Sequence, residues 1–240
     1  MIINNKEFKI VKEVCVNSLN EALKAVELKA DRIELCSELT NGGITPSYGV
    51  IKLSKELIEN KAKLFVINRP RTGNFVYSKY EKEIIKENTN IILNLNCNGM
   101  VIGCLTEDNL IDIDFLKEII TIIKKHKYNN NIELSFHMAF DYILISKKLE
   151  SIKILNDLGI KRILTRGDIS NSALYNINNI KNYIRYVLHN NLCISIMPGG
   201  GITSNNCENF INELIKDVEL KDKYNLCNIE LHGSKLLGNL

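Results

Sequence analysis

Glu13-Val14-Cys15 and Glu34-Leu35-Cys36 repeat the pattern Glu-x-Cys 21 residues apart, and each ends an apolar run typical of a β-strand. Because a strand sends residues i and i+2 to the same face, each glutamate shares a face with its cysteine. The intervening residues 18–31 have the pattern of one helix with tight turns, the spacing of a β-α-β unit with neighbouring parallel strands. A carboxylate facing an apolar helix layer would be costly to desolvate. The Glu/Cys face is therefore predicted to form the polar mouth of a barrel or cleft, where two thiols and two carboxylates lie close together.

Apolar, β-branched runs alternate with helical patterns along the whole chain. Strands are predicted near Phe8–Val16, Arg32–Cys36, Lys63–Asn68, Met100–Leu105, Ile132–Phe136, Arg162–Thr165, Leu192–Met197 and Asn228–Leu231. Helices are predicted at Ser18–Lys29, Gly49–Glu59, Ser78–Asn90, Asp112–Lys127, Ser146–Leu158, Ser172–His189 and Asn205–Lys216. This alternation predicts an α/β fold with a single domain over residues 1–240, a (β/α)8 TIM barrel, and a doubly wound open sheet is the competing fold.

The end of the chain also bears on assembly. Only Gly233–Leu240 follow the last predicted strand, so the last helix is expected to be reduced or missing. Outward-facing Val14, Val16, Ile229 and Leu231 would then be bare, and apolar area of that kind usually has a partner that covers it. We therefore expect a homo-oligomer, a dimer or larger. The alternative is that a neighbouring helix or Met1–Lys6 folds across the gap.

Composition and charge exclude several classes of protein. The net charge of +3 comes from 31 basic and 28 acidic residues, and no basic block is interleaved with aromatics, so no nucleic-acid partner is expected. No apolar stretch approaches the roughly 18 residues of a membrane span, and Met1 to Ile10 lack the apolar core of a signal peptide. The seven cysteines are not spaced like a disulfide scaffold, which favours reduced thiols in a cytoplasmic protein.

Polar groups that follow the third and fifth predicted strands are candidates for chemistry at the mouth. Arg69 and Arg71 could bind a carboxylate or phosphate, and the alternative is that they pair with the two mouth glutamates. His137 stands where a general acid, a general base or a metal ligand would lie, and Asp141 is near enough to orient it. The alternative for His137 is a half-buried structural histidine.

The loops after the seventh and eighth strands are candidates for an anion site. Gly199-Gly200-Gly201 and Ser234 lie in these loops, which form the phosphate site of many (β/α)8 enzymes. Glu230 and His232 share a face on the eighth strand, with Glu13 beside them across the barrel closure. The mouth would then carry more ionisable side chains than a structural core needs. The candidate acid/base residues are Glu13, Glu34, His137, Asp141, Glu230 and His232.

In number and order, these motifs resemble those of the CutC family, named for copper homeostasis, from about Glu13 to Ser234. The matching segments are Glu13-Val14-Cys15, Ala30-Asp31-Arg32-Ile33-Glu34-Leu35-Cys36, Gly42-Gly43-Ile44-Thr45-Pro46-Ser47, Arg69-Pro70-Arg71, Phe136-His137, Ala139-Phe140-Asp141, Leu164-Thr165, Gly199-Gly200-Gly201 and Glu230-Leu231-His232. The resemblance implies a cytoplasmic, oligomeric (β/α)8 barrel that binds copper at Cys15 and Cys36. The chain departs from the family pattern at Met138, at Arg166 and in its short C-terminal tail.

Two functions therefore compete. Neighbouring parallel strands lie about 4.8 Å apart, so the sulfurs of Cys15 and Cys36 could approach one ion, and soft thiolates select Cu(I). No organic cofactor is implied. The rival hypothesis is an enzyme that applies acid/base chemistry to a small anionic or sugar-like metabolite. A scaffold role without a ligand is a third option, and the same two cysteines would then be buried small side chains. The five other cysteines are likewise expected to be buried small side chains: Cys97, Cys104, Cys193, Cys207 and Cys227.

Overall fold

Eight parallel strands form a nearly closed barrel in a computed structural model that describes residues 2–3, 6–7, 10–127, 132–169, 172–216 and 229–240. A short antiparallel pair, β1 (Ile2–Ile3) and β2 (Lys6–Glu7), precedes the barrel. The barrel strands are β3 (Ile10–Val16), β4 (Arg32–Leu35), β5 (Lys63–Ile67), β6 (Gly99–Ile102), β7 (Glu133–Phe136), β8 (Arg162–Thr165), β9 (Ser195–Pro198) and β10 (Ile229–His232). Their order is β10-β3-β4-β5-β6-β7-β8-β9, and the two edge strands meet at a parallel bridge between Gly199 and His232. The predicted TIM barrel is confirmed, and the open sheet is wrong.

Helices follow seven of the eight barrel strands. They are α1 (Leu19–Glu27), α2 (Tyr48–Ile58), α3 (Lys79–Asn94), α4 (Ile113–Lys125), α5 (Lys148–Asp157), α6 (Ile177–His189) and α7 (Cys207–Ile215). Their starts follow local capping chemistry. The Oγ of Ser18 accepts the backbone N–H of Glu21 at 3.2 Å, while the Glu21 carboxylate accepts from Asn17 N at 2.6 Å. The predicted bounds hold to within a few residues except at α6, where 172–176 form turns instead of the first helical residues.

The barrel strands separate an apolar outer layer from a polar interior by simple alternation. Val14, Ile33 and Leu64 point outward and are fully buried against the helices. Glu13 and Arg32 point inward between them. The two-residue period of the strand therefore sends apolar side chains to the helix layer and ionisable ones into the barrel.

Residues 233–240 contain turns and no helix, so the last helix is missing from this segment as expected. The outer faces of β3 and β10 are nevertheless covered within one chain. Val14 and Val16 are 0% exposed, and Ile229 and Leu231 are 2% and 1% exposed. Buried Leu236, with Leu237 and Leu240 beside it, packs into the same core. The bare surface expected from the sequence is therefore wrong, because all four side chains are buried within one chain. The homo-oligomer stays a prediction that rests on the family resemblance alone, and light scattering would test it.

Some predicted positions lie outside the described residues. These are residues 8 and 9 of the first predicted strand, residue 228 of the last one, and Cys227. Among the other cysteines, Cys97 and Cys104 are buried as expected, whereas Cys193 is exposed and Cys207 is partly exposed. No helix in the described ranges has both the length and the apolar character that a membrane crossing requires.

Candidate ligand site at the barrel mouth

A cavity of about 540 Å³ opens at the C-terminal ends of the barrel strands. The side chains with useful chemistry that line it are Cys15, Glu34, Cys36, Arg69, His137, Asp141, Arg166 and His232. They come from the ends of six different strands or from the loops just beyond them. Parallel strands bring such residues together because all their carboxyl ends point to one rim.

Cys15 and Cys36 are close neighbours in the floor of this cavity. Their sulfurs lie 3.6 Å apart, and the Cys36 thiol also donates to the backbone carbonyl of Val16 at 3.1 Å. The hydrogen bond with Cys36, burial and the Glu34 carboxylate together raise the pKa of the Cys15 thiol. Without a bound cation, the Cys15 thiol therefore stays protonated. They pack in a small apolar cluster with Phe65, Ile67 and Val101.

Glu34 and His232 form a buried carboxylate–imidazole pair beside the thiols. The Nε2 of His232 lies 2.5 Å from a Glu34 oxygen, and one ligand atom each of Cys15, Glu34 and His232 lies within 4.8 Å of the others. Burial by itself would lower the pKa of His232, but the carboxylates of Glu34 and Glu13 outweigh it and raise the pKa. The Nδ1 of His232 has no hydrogen-bond partner.

Glu13 and Glu230, also predicted for the mouth, do not line the cavity. Arg32 bridges the two carboxylates, and Arg162 contacts Glu230 at 3.1 Å and also pairs with Glu133. Both carboxylates therefore form an ion-pair network inside the barrel and do not face this cavity. The structure does not bring Glu13 and Glu230 to this cavity, and their acid/base role stays a prediction.

The two network arginines were not singled out from the sequence. Each guanidinium carbon lies 5.0 Å from the centre of the Phe65 ring, which packs between charged groups inside the barrel. The sequence does indicate the position of Arg32, because it precedes Glu34 by two residues and so shares its inward face on the strand. Arg162 opens β8 and had no comparable partner in its own segment.

His137 lies in the cavity wall, but Asp141 does not orient it. The backbone N–H of Ala139 donates to Nδ1 of His137 at 3.0 Å, while Nε2 has no partner. Burial and the nearby Arg69 charge lower the pKa of His137 to about 3. Asp141 instead accepts from the Thr165 hydroxyl and from the backbone N–H of Arg166. The predicted His137–Asp141 partnership is wrong, because the short helical turn after β7 supplies a nearer donor.

Arg69 and Arg71 do not pair with the mouth glutamates, so the alternative considered for them is wrong. Arg69 is buried and donates to the backbone carbonyls of Gly42, Gly43 and Gly73. Arg71 turns away from the cavity, and its guanidinium binds the Glu81 carboxylate. Of the two predicted anion-binding arginines, the structure therefore brings only Arg69 to the cavity.

The glycine turn lines a smaller space beside the main cavity. Gly200, Gly201 and Ser234 line this second cavity of about 240 Å³, which shares Cys15 and His232 with the first. Gly199 lines neither cavity, and a Cβ at this position would lie 2.5 Å from Leu164.

Arg166, which the sequence marked only as a departure from the family pattern, lies over Gly200 and lines the main cavity. Its Nε has no hydrogen-bond partner. Met138 lines both cavities, at the boundary between them.

The fold and this site together define a (β/α)8 barrel with a ligand cavity at the strand ends. A profile of the CutC family matches residues 10–222, and the chain belongs to that family. It is 36% identical over 236 residues to the copper homeostasis protein cutC homolog of Dictyostelium discoideum, covering 88% of this chain and 79% of the relative. A CutC family protein of Enterococcus faecalis is 34% identical, with 95% and 100% covered. The crystal structure of a CutC from Streptococcus agalactiae superposes with a TM-score of 0.80 at 32% identity, covering 94% of this chain and 99% of that one.

Proposed function

We propose that this chain binds Cu(I) at the barrel mouth through Cys15 and Cys36. The observation that carries the proposal is the 3.6 Å separation of the two sulfurs at the wall of an open cavity. Because a metal–thiolate bond is about 2.3 Å long, two sulfurs at this separation can both contact one ion. Soft thiolates favour Cu(I) over hard cations. The names of the relatives, which refer to copper homeostasis, support the same conclusion.

Further donor atoms lie within reach of the same ion. Glu34 and His232 each present a ligand atom within 4.8 Å of the other and of the Cys15 sulfur. The imidazole of His232 is the better candidate, because imidazole suits copper and carboxylate suits harder cations. A third ligand of this kind would make the site more selective than two thiolates alone.

The chemistry of the site also supports a cytoplasmic location as part of the proposal. A Cu(I)–thiolate site needs reduced thiols, and the six cysteines in the described ranges are free. Reduced thiols are typical of the cytoplasm, where glutathione and thioredoxin maintain them. Because the pKa of Cys15 is raised, copper must displace its proton when it binds.

The test is an anaerobic competition titration against a chromophoric Cu(I) chelator. The Cys15→Ser/Cys36→Ser double variant should bind Cu(I) at least about a hundredfold more weakly, since even an outer-shell change costs a metal site 10–100-fold. The matched control is Cys193→Ser/Cys207→Ser, which removes two thiols away from the cavity and should bind like the unmodified chain. Thermal unfolding of each variant checks that it is folded. Equal affinities in the two double variants would refute the proposal.

A second candidate function is an enzyme that acts on a small anionic or sugar-like metabolite. The Glu34–His232 pair favours it, because a carboxylate-held imidazole with a free second nitrogen is the usual form of a general acid/base. The cavity of about 540 Å³ is also much larger than one metal ion requires. A thermal-shift screen of small metabolites tests this candidate, because a ligand at 100 times its Kd adds about 2.7 kcal/mol to stability. If Cu(I) shifts the melting temperature and no metabolite does, the enzyme is refuted.

A further inference from the structure

The main cavity contains a buried cation that forms no ion pair with a carboxylate of the described residues. Arg69 is only 4% exposed, and its guanidinium donates to the backbone carbonyls of Gly42, Gly43 and Gly73. Its guanidinium carbon lies 4.7 Å from the centre of the Phe75 ring, which fixes its position. The other buried arginines, Arg32 and Arg162, each contact two carboxylates. Burying a charge without a counter-ion costs free energy, so an anion bound beside Arg69 would be stabilised.

A neutral hydrogen-bond donor lines the same cavity. Because the backbone N–H of Ala139 donates to Nδ1 of His137, the ring proton must sit on Nε2. His137 is 4% exposed, and this Nε2–H has no acceptor in the part of the chain that the structure describes. An unsatisfied buried donor is rare in folded proteins and usually marks the place of a water or a ligand. A ligand atom that contacts the Nε2–H of His137 must therefore accept a hydrogen bond.

Arg166 supplies a second positive charge at the cavity wall. Its side chain lies over Gly200, where a Cβ would be 2.9 Å from the Arg166 Cγ, and its Nε has no acceptor among the described residues. The nearby Asp141 carboxylate is already bound by the Thr165 hydroxyl and the Arg166 backbone N–H. The buried Lys148 ammonium also lies close to Asp141, since it donates to the Asp141 carbonyl at 3.0 Å.

The charges around the cavity therefore sum in favour of an anion. Glu34 is paired with His232, and the Asp141 carboxylate accepts hydrogen bonds from Thr165 and from the Arg166 backbone, with the charges of Lys148 and Arg166 nearby. Among the described residues, neither the Arg69 nor the Arg166 guanidinium forms an ion pair with a carboxylate.

We propose that Arg69, His137 and Arg166 form a binding site for the oxyanion group, carboxylate or phosphate, of a small metabolite. Two guanidinium groups and a neutral imidazole N–H are donors only, so they recognise an acceptor-only group. The cavity of about 540 Å³ leaves room for the rest of such a molecule beside Glu34 and His232. This oxyanion site goes beyond copper binding and does not depend on it, because its three residues are not among the proposed copper ligands. It would also serve the second candidate function, the enzyme.

The experiment is calorimetric titration of the copper-free chain with malonate, inorganic phosphate and the neutral analogue malonamide. Binding of malonate or phosphate at millimolar or lower concentration, without binding of malonamide, is the expected result. Phosphate alone would assign a phosphate ester, malonate alone a carboxylate, and both the shared oxyanion chemistry. Binding of neither anion, or equal binding of malonamide, would overturn the proposal.

Two arginine variants separate the site from general charge effects. Arg166→Gln should weaken anion binding about tenfold or more, since it removes a charge-assisted hydrogen bond. Arg71→Gln removes the same charge from an arginine that lies outside the cavity and should leave anion binding unchanged. Equal weakening in both variants would overturn the assignment. If Arg166→Gln fails to fold, His137→Gln replaces it, with the same loss expected.

The Cys15→Ser/Cys36→Ser variant keeps the two hypotheses distinguishable. It should lose Cu(I) and keep the anion. A loss of anion binding in this variant would place the anion on the thiols and overturn the assignment to Arg69, His137 and Arg166.

Discussion

Replacing Arg32 with methionine removes the cation that bridges two carboxylates inside the barrel. The side chain of Glu13 is 1% exposed and that of Glu230 is 12% exposed, so water cannot replace the lost hydrogen bonds of either carboxylate. After the change, Glu230 keeps Arg162 at 3.1 Å, whereas Glu13 keeps only the Nε2 of His232 at 3.8 Å. Methionine fills most of the space of the arginine stem and can pack against Phe65. The loss of stability should therefore come mainly from the charge left on Glu13.

The expected loss of stability follows from the single unpaired charge on Glu13. Removing one partner of a buried ion pair costs about 3–5 kcal/mol, and we expect this loss in the free energy of unfolding of Arg32→Met. The double variant Arg32→Met/Glu13→Gln should recover at least about 1 kcal/mol, because it removes the unpaired charge. Lys63→Met is the control, since Lys63 is 55% exposed in its pair with Glu133. Its effect should stay within about 1 kcal/mol, as for other surface pairs.

Urea unfolding followed by far-ultraviolet circular dichroism measures these differences, since the chain has no tryptophan for fluorescence. The slopes of free energy against urea should agree between variants, so that the midpoints report stability alone. A loss of less than about 1 kcal/mol in Arg32→Met, or no recovery in the double variant, would refute the buried ion-pair network.

Three further predictions follow from the site. Burial raises the pKa of Asp141 to about 6 from 3.8, so the folded state binds this proton more tightly and stability falls as pH rises through that interval. Relative to the unmodified chain, the free energy of unfolding of Asp141→Asn should therefore rise by up to about 3 kcal/mol between about pH 4 and about pH 7. A difference in urea unfolding that does not depend on pH would contradict this prediction. In Gly103→Ala, the new Cβ would lie 2.1 Å from the Cε1 of His137. Thermal and urea unfolding should show a loss of about 1–3 kcal/mol. Gly49→Ala, in α2, is the control without a clash, since its Cβ meets nothing within 4 Å, and it should show no loss. Because the pKa of Cys15 is raised, Cu(I) affinity should rise with pH by about tenfold per unit for each thiol proton displaced. Chelator competition at several pH values measures this slope, and a flat profile would show that copper does not displace these protons.

Local alternation in the sequence was enough to predict the barrel and much of the cavity. The pattern Glu-x-Cys placed Cys15, Glu34 and Cys36 on an inward face, and all three line the cavity. Residues at strand ends, such as His137 and His232, were also placed correctly. Alternation along a strand is a consequence of covalent geometry, so it can be derived from neighbouring residues alone.

The partners of the charged groups were decided by the tertiary structure. Arg32 pairs with Glu230, 198 residues away, and that choice depends on the stagger of strands that meet only when the barrel closes. Barrel closure also places Glu13 and Glu230 in the ion-pair network instead of the predicted mouth, whereas Arg69 donates to backbone carbonyls.

The cover over the outer faces of Val14 and Leu231 was also a tertiary result. Alternation correctly predicts that these side chains point outward, but not that other parts of the same chain bury them. Which group meets a given side chain across the barrel is a non-local property, set by the reach and packing of elements far apart in the chain. A sequence pattern therefore identifies the side chains that point into the barrel, and only the closed barrel determines which of them remain available to a ligand.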